Sequence, residues 1–290
     1  MMKLKDKIAI ITGAGRGIGK AIALAFAKEG ADLTVVSRTL AEVEQTAREA
    51  EEFGVRVLPL KVDVSRAEEV NSMVEETLQK FGKIDILVNN AGILGPVGLL
   101  VENNVKLWIE TVNVNLIGTF LCCRTVLPHM MNHRSGKIIN LSGGGAAYPK
   151  PRFSAYACSK AAVVRLTETL AEEVKDYNIQ VNAIAPGAVK TRIVEQIVEA
   201  GEKADKNTLA EARKVLEGGG SGFEPVTSLA VFLASEESDG LTGRLISAVW
   251  DDWQSLHEDR IRWTMEKGYY TLRRIDERFF TPKDGDIPRR

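Results

Sequence analysis

From residue 7 to about 185, short runs of apolar and β-branched residues alternate with longer stretches whose apolar positions recur at helical spacing. The runs at 8–12, 32–36, 55–60, 84–88, 138–141 and 179–184 predict strands, and the stretches at 19–28, 40–53, 67–81, 105–129 and 155–177 predict helices. Because the strand runs are apolar on successive residues rather than on alternate ones, both faces of the sheet must be covered. Strands alternating with helices, buried on both faces, specify an α/β fold with a doubly wound parallel sheet. In such sheets a ligand sits beyond the carboxyl ends of the strands, where the winding order reverses.

Two segments break this rhythm. Residues 189–222 form a polar, amphipathic insert with helical character that closes on Gly218-Gly219-Gly220-Ser221-Gly222. Its position after the sixth strand makes residues 188–222 a candidate substrate lid. From Trp250 a C-terminal extension carries three of the four tryptophans. The chain is therefore read as one domain over 1–249 with an aromatic-rich extension over 250–290. In the extension Trp250, Trp253, Trp263, Tyr269, Tyr270, Phe279 and Phe280 are expected to pack on the body, on a neighbouring subunit or over the substrate mouth.

Composition narrows the function by exclusion. A formal net charge of -1 over 290 residues creates no general field for nucleic acid or an anionic membrane, so neither is an expected partner. The N-terminal residues run into a strand pattern without an apolar leader core, and no segment is apolar enough to span a bilayer, so a cytoplasmic protein is expected. Cys122, Cys123 and Cys158 offer neither a disulfide framework nor metal-ligand spacing, and no metal site is expected.

The first strand leads into Gly13-Ala14-Gly15-Arg16-Gly17-Ile18-Gly19, which opens the first helix. Glycines there let the turn tighten and the backbone approach a pyrophosphate, while the helix start presents free N–H groups to it. This strand–loop–helix context predicts a Rossmann-type dinucleotide site. At the end of the second strand, Ser37 and Arg38 stand where an acid would accept hydrogen bonds from ribose hydroxyls. With Arg38 able to fork onto a phosphate and Arg16 as a second cation, NADP(H) is expected over NAD(H).

Tyr156 and Lys160 are four residues apart on a predicted helix and so share one face. An ammonium one turn away favours the phenolate, lowers the tyrosine pKa and makes the phenol a usable acid for carbonyl chemistry.

Taken together, the glycine loop, Asn89-Asn90-Ala91-Gly92 after the fourth strand, Tyr156-Ala157-Cys158-Ser159-Lys160 and Pro186-Gly187 after the sixth resemble the short-chain dehydrogenase/reductase family over roughly residues 5–245. The resemblance implies that Asp63 and Val64 meet the adenine, that Asn89, Ala91 and Gly92 line the adenosine ribose, and that Lys160 also holds the nicotinamide ribose. It assigns Thr191 to the carboxamide with Val189 beside it, and Asn115 to a water that joins the lysine to solvent. It also implies a homodimer or homotetramer formed through the helices that hold Asn115 and Tyr156.

The chain departs from the family at two places. The family's substrate-polarising serine falls by spacing on Gly143, with Ser142 one place earlier; Ser142 is taken as the donor, on the expectation that Gly143-Gly144-Gly145 re-aim it, with Ser154, a water or a backbone N–H as the alternatives. Where the family closes its last strand with a short glycine-ended segment, residues 241–246 instead continue into 247–253 and the extension, which leaves the substrate open. The expected activity is an NADP(H)-dependent interconversion of a ketone and a secondary alcohol. A 3-oxoacyl thioester is the first candidate substrate, a keto-sugar or polyol the second, and a non-catalytic NADP(H) sensor or scaffold the remaining alternative.

Overall fold

The computed structural model describes residues 2–274. The apolar runs form β1 (Ile8–Thr12), β2 (Asp32–Ser37), β3 (Val57–Lys61), β4 (Ile86–Asn89), β5 (Gly136–Leu141) and β6 (Ile179–Ala185), and a short β7 (Leu245–Ser247) follows. All pair in parallel in the order β3-β2-β1-β4-β5-β6-β7. The winding therefore reverses between β1 and β4, and the crevice at their carboxyl ends receives the loops after both strands.

The helices are α1 (Gly17–Lys28), α2 (Leu40–Glu51), α3 (Ala67–Phe81), α4 (Val105–Val112), α5 (Gly118–His133), α6 (Ser154–Glu173), α7 (Arg192–Ala200), α8 (Lys206–Lys214), α9 (Glu224–Ala234) and α10 (Glu258–Lys267). Ile11, Val35, Val88 and Ile139 face α1, α2 and α9, whereas Ile10, Leu87, Ile138 and Val181 face α3, α5 and α6. The strands inside the edges, β2-β1-β4-β5-β6, bury both faces, which is why their sequences are apolar at successive positions.

The stretch 105–129 is two helices rather than one. A π-type turn over Asn113–Ile117 joins α4 to α5, and the wider i→i+5 spacing turns Asn115 into the protein interior. The insert after β6 is helical as expected, with α7, α8 and a closing π-type turn at Val215–Gly219.

As far as it is described, the extension packs on the body. Trp253 is buried with its ring 5.7 Å from that of Phe232, and with Leu256 and Ile261 it extends the core beneath α9. Trp263 stacks on Tyr269 at 4.9 Å, while Trp250 stays exposed. Phe279 and Phe280 lie outside the described residues. The chain then passes the outer edge of the sheet, where Leu245 N donates to the Tyr270 carbonyl at 2.7 Å and Arg165 Nη2 to the Leu272 carbonyl at 2.6 Å. Among the described residues no helix is long and apolar enough to cross a membrane.

Candidate active site

A cleft of about 580 Å³ opens at the reversal point, lined by Gly13, Gly15, Arg16, Gly17, Ile18, Ser37, Arg38, Asp63, Val64, Ala91, Gly92 and Thr191 among others. The loop after β1 is held from across the cleft. Asn90 Nδ2 donates to the carbonyls of Thr12 (2.9 Å) and Gly13 (3.1 Å), and Thr12 Oγ1 accepts from the N–H groups of Asn90 and Ala91 at 3.0 Å. Gly13 adopts φ +64°, and a Cβ on it would lie 2.9 Å from the Ala91 Cα, so only glycine permits this approach. Gly19 packs inward against Gly13 and Asn90. The start of α1 has neither a side-chain cap nor an acid in its first turn, leaving its N–H groups for a phosphate. These features fit the pyrophosphate linker of a dinucleotide, whose nicotinamide would supply hydride transfer when bound.

Asp63 accepts from Ser65 N (3.0 Å) and Ser65 Oγ (2.7 Å); burial pushes its carboxyl up, but these bonds outweigh burial and hold it below the usual range. Val64 packs at the place where a Cβ on Gly118 would fall, 2.7 Å from its Cγ2. Thr191 faces the glycine loop, its Cγ2 3.5 Å from where a Cβ on Gly17 would stand. Gly187, at φ +79°, turns the chain after Pro186 between Val249 and Ser221, and Val189 is buried beyond the turn. These three residues shape the wall behind Thr191 and do not line the cleft.

Asn89 does not reach the ribose floor. Its Nδ2 donates to Asn140 Oδ1 at 2.9 Å and to Cys123 Sγ at 3.3 Å inside the sheet, because strand alternation sends residue 89 inward and presents residue 90 to the cleft.

At the second end of the cleft Arg16 is not a free cation. Its Nη1 lies 3.3 Å from Glu42 Oε1, on the first turn of α2, and Arg38 Nη1 lies 3.9 Å from Glu110 Oε1. The Ser37 hydroxyl donates to the Thr39 carbonyl at 2.9 Å and accepts from Thr39 N at 3.2 Å. Asp32 closes a pair with Arg56 at the start of β2, away from the cleft.

Helix α6 presents Tyr156 and Lys160 from one face, both buried. Lys160 Nζ donates to the Leu141 carbonyl at 2.7 Å and lies 5.8 Å from the centre of the Tyr156 ring. Gly92 separates Lys160 from Asn115; a Cβ on it would stand 3.5 Å from Nζ and 3.2 Å from Asn115 Oδ1. Asn115 Oδ1 accepts from Ile93 N at 2.8 Å, and its Nδ2 donates at 3.0 Å to both the Ile93 carbonyl and Ser159 Oγ. The Asn115 side chain thus pins the loop after β4 to α6.

The titration of the pair differs from expectation. Burial pushes Tyr156 up to about 12 and Lys160 down to about 8. The ammonium addresses a backbone carbonyl, so desolvation of the phenol outweighs its influence. Tyr156 holds its proton at neutral pH, as a donor requires.

Ser142 does not take the serine role. Its Oγ is sealed and makes no hydrogen bond, while its N–H donates to the Ile184 carbonyl at 2.8 Å. The position facing the Tyr156 hydroxyl is Gly143, where a Cβ would overlap the phenol oxygen. The glycine run does not re-aim residue 142, because the strand's alternation persists to its end. Ser154 is committed elsewhere, as the acceptor for Trp108 Nε1 at 3.1 Å and Asn103 Nδ2 at 3.2 Å.

The short chain dehydrogenase family matches residues 7–202. The chain belongs to that family. It is an NAD(P)-dependent short-chain dehydrogenase/reductase, an oxidoreductase acting on alcohol or ketone groups. It is 38% identical over 245 residues to a 3-oxoacyl-(acyl-carrier-protein) reductase of Thermotoga maritima, covering 84% of this chain and 97% of that protein. It is 37% identical over 245 residues to 3beta-hydroxysteroid dehydrogenase 1 of Eggerthella lenta, covering 83% of this chain and 91% of that protein. Among solved structures, NAD+-bound xylitol dehydrogenase superposes with a TM-score of 0.79 at 27% identity, over 84% of this chain and 98% of the other.

In this short-chain dehydrogenase the insert closes on the catalytic tyrosine candidate. Ile197 of α7 and Ala212 of α8 form one apolar cluster with Leu94, Phe153 and Tyr156, and Val194, Val198 and Leu209 pack against it. Arg152 Nη1 ties the segment ahead of α6 to the insert through the carbonyls of Glu202 (3.1 Å) and Lys203 (3.2 Å). The sequence reading missed Asn90, Glu42 and Trp108. Asn90 sits inside the Asn89-Asn90-Ala91-Gly92 motif, whereas Glu42 and Trp108 carry no local signal and are brought in by helix placement.

Proposed function

We propose that this dehydrogenase reduces a ketone flanked by apolar groups, with a 3-oxoacyl thioester as the first class, using NADP(H) in preference to NAD(H). The observation that carries the reading is Tyr156, protonated and enclosed by Leu94, Phe153 and Ile197. Those walls suit an acyl chain better than a polyol, whose hydroxyls would be left without partners. The relatives named for 3-oxoacyl and hydroxysteroid substrates support the same preference.

The glycine loop, Ala91, Gly92 and Thr191 would hold a dinucleotide, which would supply the hydride for the carbonyl carbon. Tyr156 Oη gives its proton to the carbonyl oxygen, so one C–H and one O–H bond form as the carbonyl π bond is lost. The Lys160 ammonium, 5.8 Å from the centre of the Tyr156 ring, would stabilise the resulting phenolate by its charge until solvent restores the proton. No side-chain hydroxyl replaces the family serine beside Tyr156. The N–H groups of Gly143, Gly144 and Gly145 make no hydrogen bond among the described residues and are left as candidate donors to the carbonyl oxygen. Residues 188–222 act as the lid, and exposed apolar residues along α4 and α5, including Val105, Ile109 and Phe120, supply the face for a homo-oligomer.

Oxidation of NADPH and NADH against 3-oxoacyl thioesters, keto-sugars and simple ketones tests this reading. Tyr156→Phe should lower turnover roughly 10²- to 10⁴-fold while leaving cofactor affinity unchanged. Full turnover in that variant, or activity confined to keto-sugars, would overturn the proposal.

A further inference from the structure

The end of the cleft beside Gly15 holds a carboxylate that the strand-end pattern does not announce. A Cβ built on Gly15 would lie 2.8 Å from Glu42 Oε2, 2.7 Å from Glu42 Cβ and 3.2 Å from Ser37 Oγ. The acid on α2 and the hydroxyl at the end of β2 therefore flank a single point over the glycine loop, and Gly15, Arg16, Ser37, Arg38 and Glu42 all line the cleft. Each group counted toward a 2'-phosphate has another partner nearby: Arg16 is paired with Glu42, Ser37 is turned onto Thr39, and Arg38 approaches Glu110.

We propose that Glu42 sets the strength of the dinucleotide preference, by holding Arg16, opposing a 2'-phosphate as a like charge and accepting a hydrogen bond from an unphosphorylated ribose. The two halves of the Arg16–Glu42 pair behave differently. Exposed pairs of this kind contribute only ~0–1 kcal/mol, so Arg16 can turn from the carboxylate to a phosphate with little loss. The Glu42 side chain is anchored at its root, because its Cβ packs over Gly15, so its carboxylate stays within reach of the same end of the cleft. What remains when a 2'-phosphate binds is an anion beside an anion, and that repulsion is felt by NADP(H) alone. Glu42 thus does from the first turn of a helix what an acid at the end of β2 would otherwise do. The cations at Arg16 and Arg38 and the acid at Glu42 act in opposition, and the balance sets the selectivity.

The proposal rests on the dinucleotide reading of the cleft and not on turnover, so it is tested by binding. Dissociation constants for NADPH and NADH are measured by calorimetry on the wild type, Glu42→Gln and Glu42→Ala, at low and at physiological ionic strength. Both variants should raise the ratio of the NADH to the NADPH dissociation constant about tenfold, equivalent to ~1.4 kcal/mol. The gain should shrink as salt screens the opposing charges. A ratio within about twofold of wild type in both variants overturns the proposal. A wild type that prefers NADH overturns the NADP(H) preference proposed above, while the tenfold change expected on removing Glu42 still stands.

Discussion

Restoring the family serine at Gly143 should impair the enzyme. The backbone there is outside the left-handed region, so a side chain is not barred by φ. It is barred by Tyr156: a Cβ at residue 143 would overlap the phenol oxygen and lie 3.0 Å from Tyr156 Cζ and 3.1 Å from Cε1. Either the glycine run moves away or the tyrosine does, and Tyr156 is fixed by α6 and by the apolar cluster around it. Overpacking of this kind costs about 1–3 kcal/mol. For a chain of this size that lowers the thermal midpoint by roughly 2–5 °C. Displacing the phenol from the carbonyl oxygen removes proton donation, so turnover should fall about 10²-fold or more. Gly143→Ala and Gly143→Ser, compared by steady-state reduction and by thermal unfolding, separate the steric effect from any contribution of the hydroxyl. Both should be slow and less stable, with serine little better than alanine. A Gly143→Ser enzyme as fast and as stable as the wild type would refute the steric argument, and one faster than wild type would show that residue 143 lacks only a donor.

Two further predictions concern the supports beneath the tyrosine. The folded protein releases the Lys160 proton at about pH 8, whereas an unfolded chain holds it to ~10.4. Between these values the unfolded state binds more protons, so stability against urea should rise with pH by up to ~3 kcal/mol. Lys160→Met should abolish that rise; a wild-type stability flat from pH 8 to 10 would contradict the burial argument. Asn115→Leu orphans Ile93 N and the Ile93 carbonyl and takes one donor from Ser159 Oγ, which keeps its bond to the Tyr156 carbonyl, so the urea midpoint should correspond to a loss of ~2–4 kcal/mol. A change under ~0.5 kcal/mol would mean that the π-type turn holds its shape without the side chain.

Where sequence and structure agree, the cause is local or periodic. Burial on both faces of a parallel strand leaves an apolar run, and a glycine loop between strand and helix declares its own geometry, so the six strand runs and the phosphate loop could be read directly. The misreadings turn on single-residue phase. Asn89 and Asn90 are adjacent, yet only Asn90 faces the cleft; Ser142 and Gly143 are adjacent, yet only residue 143 faces Tyr156. Alternation follows from the strand itself, but its phase at a strand end depends on how the loop leaves the sheet. Glu42 was hidden for another reason: a helical acid looks like a solvated one until the packing of α2 against the glycine loop is known. The raised pKa of Tyr156 follows from burial by the insert, which spacing within α6 does not encode.

The extension's path along β7 gives the sheet a boundary. Tyr270 takes up the outward N–H of Leu245, and Leu272 N is in turn held by Glu168 Oε1 at 2.6 Å. A strand edge normally invites another strand. Here the invitation is already answered by the same chain, while at the opposite margin β3 is only five residues long and carries Pro59, which lacks an N–H to offer. Among the described residues neither margin offers a long unpaired strand, so the sheet is built to end within one chain rather than to extend from copy to copy as a ribbon.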